Sequence, residues 1–177
     1  MSEQGLRPSP IAVDRIQVRL AALNSCAPET ATSQFKRCCG SRSWSERMTE
    51  ARPFSNLEQL EAIADNVWKS CSREDWLEAF AAHPRIGEST ASQWSRKEQA
   101  GVQKASAVLQ MELARRNSEY EVKFGHIFII CAAGKSAEEI LTALRQRLRN
   151  SPAVEIETAA EQQRLITHLR LKNLFSE

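Results

Sequence analysis

The apolar residues of this chain recur at three- and four-residue spacing between clear stop signals, a period that makes helices its building blocks. Leu57, Leu60, Ile63, Ala64, Val67 and Trp68 begin within Ser55-Asn56-Leu57-Glu58, a capping-box pattern that opens a helix. Ser72-Arg73-Glu74-Asp75 does the same for Trp76 and Phe80, and Ser136-Ala137-Glu138-Glu139 for Ile140, Leu141, Leu144 and Leu148. Stops come from Gly40-Ser41, Arg52-Pro53 and Phe124-Gly125. Asn150-Ser151-Pro152 closes one helix and starts the last, with Ser151 as N-cap, Pro152 at N1, and Val154, Leu165, Ile166 and Leu169 as packing contacts.

Shorter helices are predicted around residues 11–23, 33–39 and 44–51, and the longest over residues 95–123, with a bend or break near Asn117. One stretch departs from the pattern. Residues 126–134, His-Ile-Phe-Ile-Ile-Cys-Ala-Ala-Gly, are apolar, β-branched and too few for a typical helix, so they read as extended and buried. No second strand pattern offers them a partner. The expected fold is therefore all-α: a single-domain bundle of roughly seven to nine helices over residues 11–177, after a flexible tail at residues 1–10.

A chain of 177 residues, 42% of them hydrophobic, is long enough to bury one sizeable core. Lys and Arg number 24 against 22 Asp and Glu, and the charges interleave without a basic stripe, which argues against nucleic acid as a partner. No apolar run reaches the length of a membrane span, and Met1-Ser2-Glu3-Gln4 does not open a signal peptide. The ending Phe175-Ser176-Glu177 is not a peroxisomal address, so a cytoplasmic setting is expected. Cys26, Cys38, Cys39, Cys71 and Cys131 form no Cys-x-x-Cys pair and read as reduced, structural thiols. Neither they nor the histidines show the spacing of a metal site.

An ionisable side chain on an apolar helix face is costly unless paired, so it needs a reason. Proline at 84 disfavours α geometry for His83, which ends the helix from Arg73 at that imidazole. With Trp76 as zero, Phe80 falls at about +40° and His83 at about −20°, on the same inward face. Arg147 stands out in the same way: measured from Ile140 it lies at about −20°, inside the apolar stripe, whereas Arg145 and Arg149 point away. Glu98 has two compatible readings. In Ser95-x-x-Glu98 it is a capping residue, and at a helix N-terminus it sits where free N–H groups would hold an anionic substrate beside Gln99. His126 and His168 read as packing or surface residues.

The sequence His83-Pro84-Arg85-Ile86-Gly87, followed by Ser95-x-x-Glu98-Gln99-Ala100-Gly101, resembles the signature of the 2-oxo-4-hydroxy-4-carboxy-5-ureidoimidazoline (OHCU) decarboxylases. Five further stretches agree in order: Cys39-Gly40-Ser41-Arg42-Ser43-Trp44, Arg52-Pro53-Phe54, Tyr120-Glu121-x-Lys123-Phe124-Gly125, Gly134-Lys135-Ser136 and Arg147-Leu148-x-Asn150. The resemblance implies a cofactor-free, all-helical, usually dimeric enzyme of urate degradation that releases (S)-allantoin and carbon dioxide. It matches the family's catalytic histidine to His83, its acidic partner to Glu98 and its substrate-binding arginine to Arg147. Pro84, Ser95 and Gln99 match pocket positions. Where the family carries Phe-Gly-Phe-Pro-Phe, this chain has Phe124-Gly125-His126-Ile127-Phe128, and Ile127 and Ile129 are the residues expected to offer backbone groups to substrate. Two alternatives are another acid–base lyase of ureide metabolism and a helical ligand-binding protein without catalysis. The intact set His83, Glu98, Gln99 and Arg147 argues against the second.

Overall fold

A computed structural model describes residues 10–87, 93–103 and 105–176. Ten helices occur among them: α1 (Pro10–Ser25), α2 (Pro28–Cys38), α3 (Arg42–Glu50), α4 (Leu57–Lys69), α5 (Arg73–Ala81), α6 (Gln93–Glu98), α7 (Ala100–Gln103), α8 (Ala107–Phe124), α9 (Ala137–Arg147) and α10 (Pro152–Ser176). No strand occurs among the described residues. The tail expected at residues 1–10 lies outside them, except for Pro10, which opens α1.

The count exceeds seven to nine because the region predicted as one helix from Ser95 breaks into three. Gln99 falls in a turn between α6 and α7, and Ser106 starts α8 afresh by accepting a bond from Leu109 N at 3.3 Å. No break occurs at Asn117, whose buried amide instead donates to Ile86 O at 3.3 Å. α6 also begins at Gln93, before Ser95, so Ser95-x-x-Glu98 is not a capping box and Glu98 closes a helix rather than opening one.

The other start signals hold, with one shift. Ser72 with Asp75 and Ser136 with Glu139 form complete capping boxes. At α4 the cap is Asn56, which accepts from Gln59 N, while Gln59 reaches back to Ser55 N at 2.7 Å. Gly125 closes α8 in the left-handed conformation at φ 75°, where a side chain would be strained.

Two apolar clusters result. The first gathers Phe35, Trp44, Met48, Leu60, Phe80 and Phe175 from α2 to α5 and α10. Its indoles are satisfied: Trp44 Nε1 donates to Ala64 O at 3.2 Å, and Trp68 Nε1 to Ala160 O at 3.0 Å. The second joins Leu113 and Tyr120 of α8 to Ile140 and Leu144 of α9 and to Phe128 and Ile130. Residues 126–132 run between the clusters as irregular backbone, with Phe128, Ile129 and Ile130 buried as expected. On α10 the buried face carries Ala159, Gln163, Ile166, Arg170 and Leu171; Val154 and Leu165, expected as contacts, are exposed.

Two glycines allow the approaches that place the site. A Cβ on Gly40 would stand 2.3 Å from Ala82 Cβ, so the α2–α3 link lies hard against the residue before His83. A Cβ on Gly101 would meet Lys135 O at 2.2 Å, so only glycine lets α7 close on the turn before α9.

Candidate active site

His83 follows the C-cap of α5 and its N–H still bonds to Phe80 O at 3.1 Å. The imidazole is partly buried against α10. Together with Pro84 it borders one cavity with Ser95 and Glu98 of α6, with Gln99 of the turn that follows and with Ile129 of the irregular segment. Ile166 of α10 and Ile86, Phe128 and Ile130 add apolar wall. Gln99 Oε1 accepts from Gly87 N at 2.9 Å, tying the His83–Gly87 loop to α6; Gly87, at φ 89°, makes that turn.

Glu98 does not bond to His83 directly. Its carboxylate makes a two-pronged pair with Arg170 of α10, Nε to Oε1 at 2.8 Å and Nη2 to Oε2 at 2.9 Å. Arg170 Nη2 in turn lies 3.5 Å from His83 Nδ1. The other ring nitrogen, Nε2, is 2.7 Å from Gln163 Oε1. Burial, reinforced by the Arg170 guanidinium, lowers the pKa of His83 to about 4 against the pull of Gln163 and Glu98. At neutral pH the site thus holds an uncharged imidazole beside a compensated Arg–Glu pair.

Arg147 and Ile127 are not brought to this cavity. The inward direction predicted for Arg147 is right, since it is 9% exposed, but its guanidinium is committed elsewhere. Nε and Nη2 bond to Glu155 Oε1 at 2.8 and 2.5 Å, Nη1 to Ile129 O at 2.6 Å, and the group stacks 4.5 Å from the Phe128 ring. Glu155, fully buried, also accepts from the Tyr120 hydroxyl and from Asn150 Nδ2 at 2.7 Å. A buried charge with this many partners is satisfied without a ligand. Arg147 reaches the site through the Ile129 carbonyl that it holds and the Phe128 ring on which it stacks.

Arg170 and Gln163 are the residues that sequence reasoning passed over. The signal was present: Arg170 lies at about +40° from Ile166 and about −20° from Gln163, all on one stripe of α10. The remaining histidines are structural, as expected. His126 packs among Phe80, Tyr120 and Phe124, and His168 Nε2 bonds to Asp65 Oδ1 at 2.6 Å. Burial pushes the Cys38 and Cys39 thiols up to about 12, so both stay protonated.

Residues 24–172 match the OHCU decarboxylase family profile. The chain belongs to the OHCU decarboxylase family. Among its relatives, the uric acid degradation bifunctional protein TTL of Arabidopsis thaliana is 38% identical over 159 residues, which are 85% of this chain and 49% of that protein. The 2-oxo-4-hydroxy-4-carboxy-5-ureidoimidazoline decarboxylase of Haloferax volcanii is 32% identical over 134 residues, 74% of this chain and 80% of the relative. A crystal structure of OHCU decarboxylase obtained in the presence of (S)-allantoin superposes with a TM-score of 0.75 at 38% identity, covering 86% of this chain and all of that one. The chain thus spans about half the length of the plant relative, most of the archaeal one and the whole of the solved domain.

Proposed function

We propose that this chain decarboxylates OHCU to (S)-allantoin and carbon dioxide, with His83 as the acid–base group and Arg170, steadied by Glu98, binding substrate. The observation that carries the reading is the convergence of His83, Glu98 and Gln99 around one cavity, with Arg170 of α10 bridging Glu98 and His83 behind its wall, in a protein of this family. As it stands the cavity is tight, about 20 Å³, so binding requires its rim to open.

The substrate brings its own electron sink, a C=N bond next to the carbon that bears the carboxylate and hydroxyl. When the bond to the carboxylate carbon breaks, its pair forms a C=C bond and the C=N pair withdraws onto nitrogen, which takes a proton. The enol then loses its hydroxyl proton, and the adjacent carbon gains one on a single face, giving the (S) product. An uncharged His83 accepts the hydroxyl proton; Arg170 orients a carboxylate or carbonyl by its remaining donors. Pro84, Ser95, Gln99 and the Ile129 backbone shape the pocket. The test is to generate OHCU from urate with uricase and hydroxyisourate hydrolase, then follow optical rotation. Chiral allantoin forming no faster with the protein than without it would refute the reading.

The pH profile follows from His83. Its uncharged form persists until the medium approaches pH about 4, so kcat/KM is expected to hold from neutrality to pH about 5 and to fall below that. Stability moves the same way. In the unfolded chain the imidazole takes up its proton near 6.5 and in the folded chain near 4, so the unfolded state binds more protons between those values. Stability is therefore lost as pH falls through that window, which melting curves taken across it would show.

A homodimer in a cytoplasmic setting completes the reading. Val108, Met111 and Val122 leave 78%, 73% and 89% of their surface exposed on one face of α8, an arrangement suited to a second copy. A groove of about 550 Å³ between α8 and Arg85-Ile86-Gly87 adjoins that face. The expected result is a dimer in sedimentation, converted to a folded monomer by Met111→Glu with Val122→Glu. Five free thiols and the absence, among the described residues, of any helix able to cross a membrane support the setting.

A further inference from the structure

Gln163 and Thr167 sit one turn apart on α10, both buried, and neither borders the cavity. One arrangement of protons uses every one of their hydrogen bonds together with the Arg170 contact to His83. The Thr167 hydroxyl lies 3.0 Å from the Gln163 backbone carbonyl, which only accepts, so the single hydroxyl proton is used there. The hydroxyl oxygen is left as an acceptor, and the group 3.2 Å from it is therefore the Gln163 amide nitrogen. That orientation turns Gln163 Oε1 toward His83, 2.7 Å from Nε2. A carbonyl oxygen cannot donate, so Nε2 carries the proton. The opposite edge of the ring agrees independently: Arg170 Nη2 only donates, and it faces Nδ1.

We propose that Gln163, held by Thr167, is a positioning residue that locks His83 in its Nε2–H tautomer and leaves Nδ1, beside Arg170, as the atom that exchanges a proton with substrate. The inference rests on the decarboxylase reading of His83 given above. With the opposite tautomer, Nε2 would present a lone pair to a carbonyl oxygen, and the buried Gln163 amide would lose its partner. The charged groups facing the ring are Arg170 from α10 and, through it, Glu98 from α6. A proton taken up at Nδ1 thus sits next to a guanidinium and is readily handed back.

The chain has three histidines, so a long-range proton–nitrogen NMR spectrum of this chain resolves each ring, with His83 identified by its loss in His83→Ala. At neutral pH the expected pattern for His83 is a protonated Nε2 and a bare Nδ1. Gln163→Leu is expected to mix the tautomers and to lower kcat by about 10- to 100-fold, with KM little changed. Gln163→Glu keeps an acceptor opposite Nε2, so it should recover the tautomer and most of kcat. It should also move the acid limb of the kcat/KM profile to higher pH, because a carboxylate favours the imidazolium. Should Gln163→Leu fail to fold, Thr167→Val tests the same lock by freeing the amide to turn. A protonated Nδ1 in the unsubstituted protein, or unchanged tautomer and kcat in the Gln163→Leu or Thr167→Val protein, overturns the proposal. A locked tautomer in a protein that does not accelerate decarboxylation overturns the function assigned to His83 while leaving the lock itself standing.

Discussion

His83→Ala is expected to lower the stereoselective rate by about 10²- to 10⁴-fold, the usual range for losing a positioned acid–base group, while the helical circular dichroism is unchanged. The fold should survive because His83 lies beyond the end of α5 and is only partly buried. The main structural loss is the partner of Gln163 Oε1, at a cost of about 1–3 kcal/mol, which water entering the emptied cavity would reduce. Optical rotation, followed against the spontaneous racemic reaction, measures the effect. A folded His83→Ala protein that still produces (S)-allantoin at the original rate would remove His83 from the chemistry and leave Arg170, Glu98 and Gln99 as a binding site only.

Much of the scaffold was legible because helix punctuation is local. Ser72, Ser136 and Gly125 act within a turn of their own position, and sequence order shows them directly. The break at Gln99 was not legible, since it depends on Gly101 meeting Lys135 O and on Gln99 bonding to Gly87, contacts between distant parts of the chain. The motif residues carried a similar ambiguity. Tyr120, Lys123 and Gly125 belong to one of the stretches that carry the family resemblance, and the fold bonds them to Glu155, to Leu148 O and to Glu121 O at the end of α8. Arg52 likewise holds the carbonyls of Leu23 and Cys26 at the end of α1, at 2.7 and 2.9 Å. Helical geometry indicates which residues turn inward but not which partner awaits them. Arg147 and Arg170 both face the interior, and only the fold sends the first to Glu155 and the second to His83 and Glu98.

That division predicts the largest stability effect in the molecule. Glu155→Ala strands the Arg147 guanidinium in a buried setting and removes the acceptor of Tyr120 and Asn150, a change expected to cost about 3–5 kcal/mol. For a domain of this length that corresponds to a melting temperature lower by about 6–20 °C. Replacing the pair together, with Arg147→Met and Glu155→Leu, leaves no uncompensated charge and should recover most of the loss, because a buried ion pair gains little over well-packed apolar side chains. Activity then separates scaffold from binding. The double variant loses the donor to Ile129 O, so a moderate rise in KM is expected as that backbone loosens, with kcat largely kept. If Arg147 contacted substrate itself, the double variant would regain its melting temperature and remain inactive. Melting curves and kcat against KM for the two proteins decide between a guanidinium that builds the cavity wall and one that reaches through it.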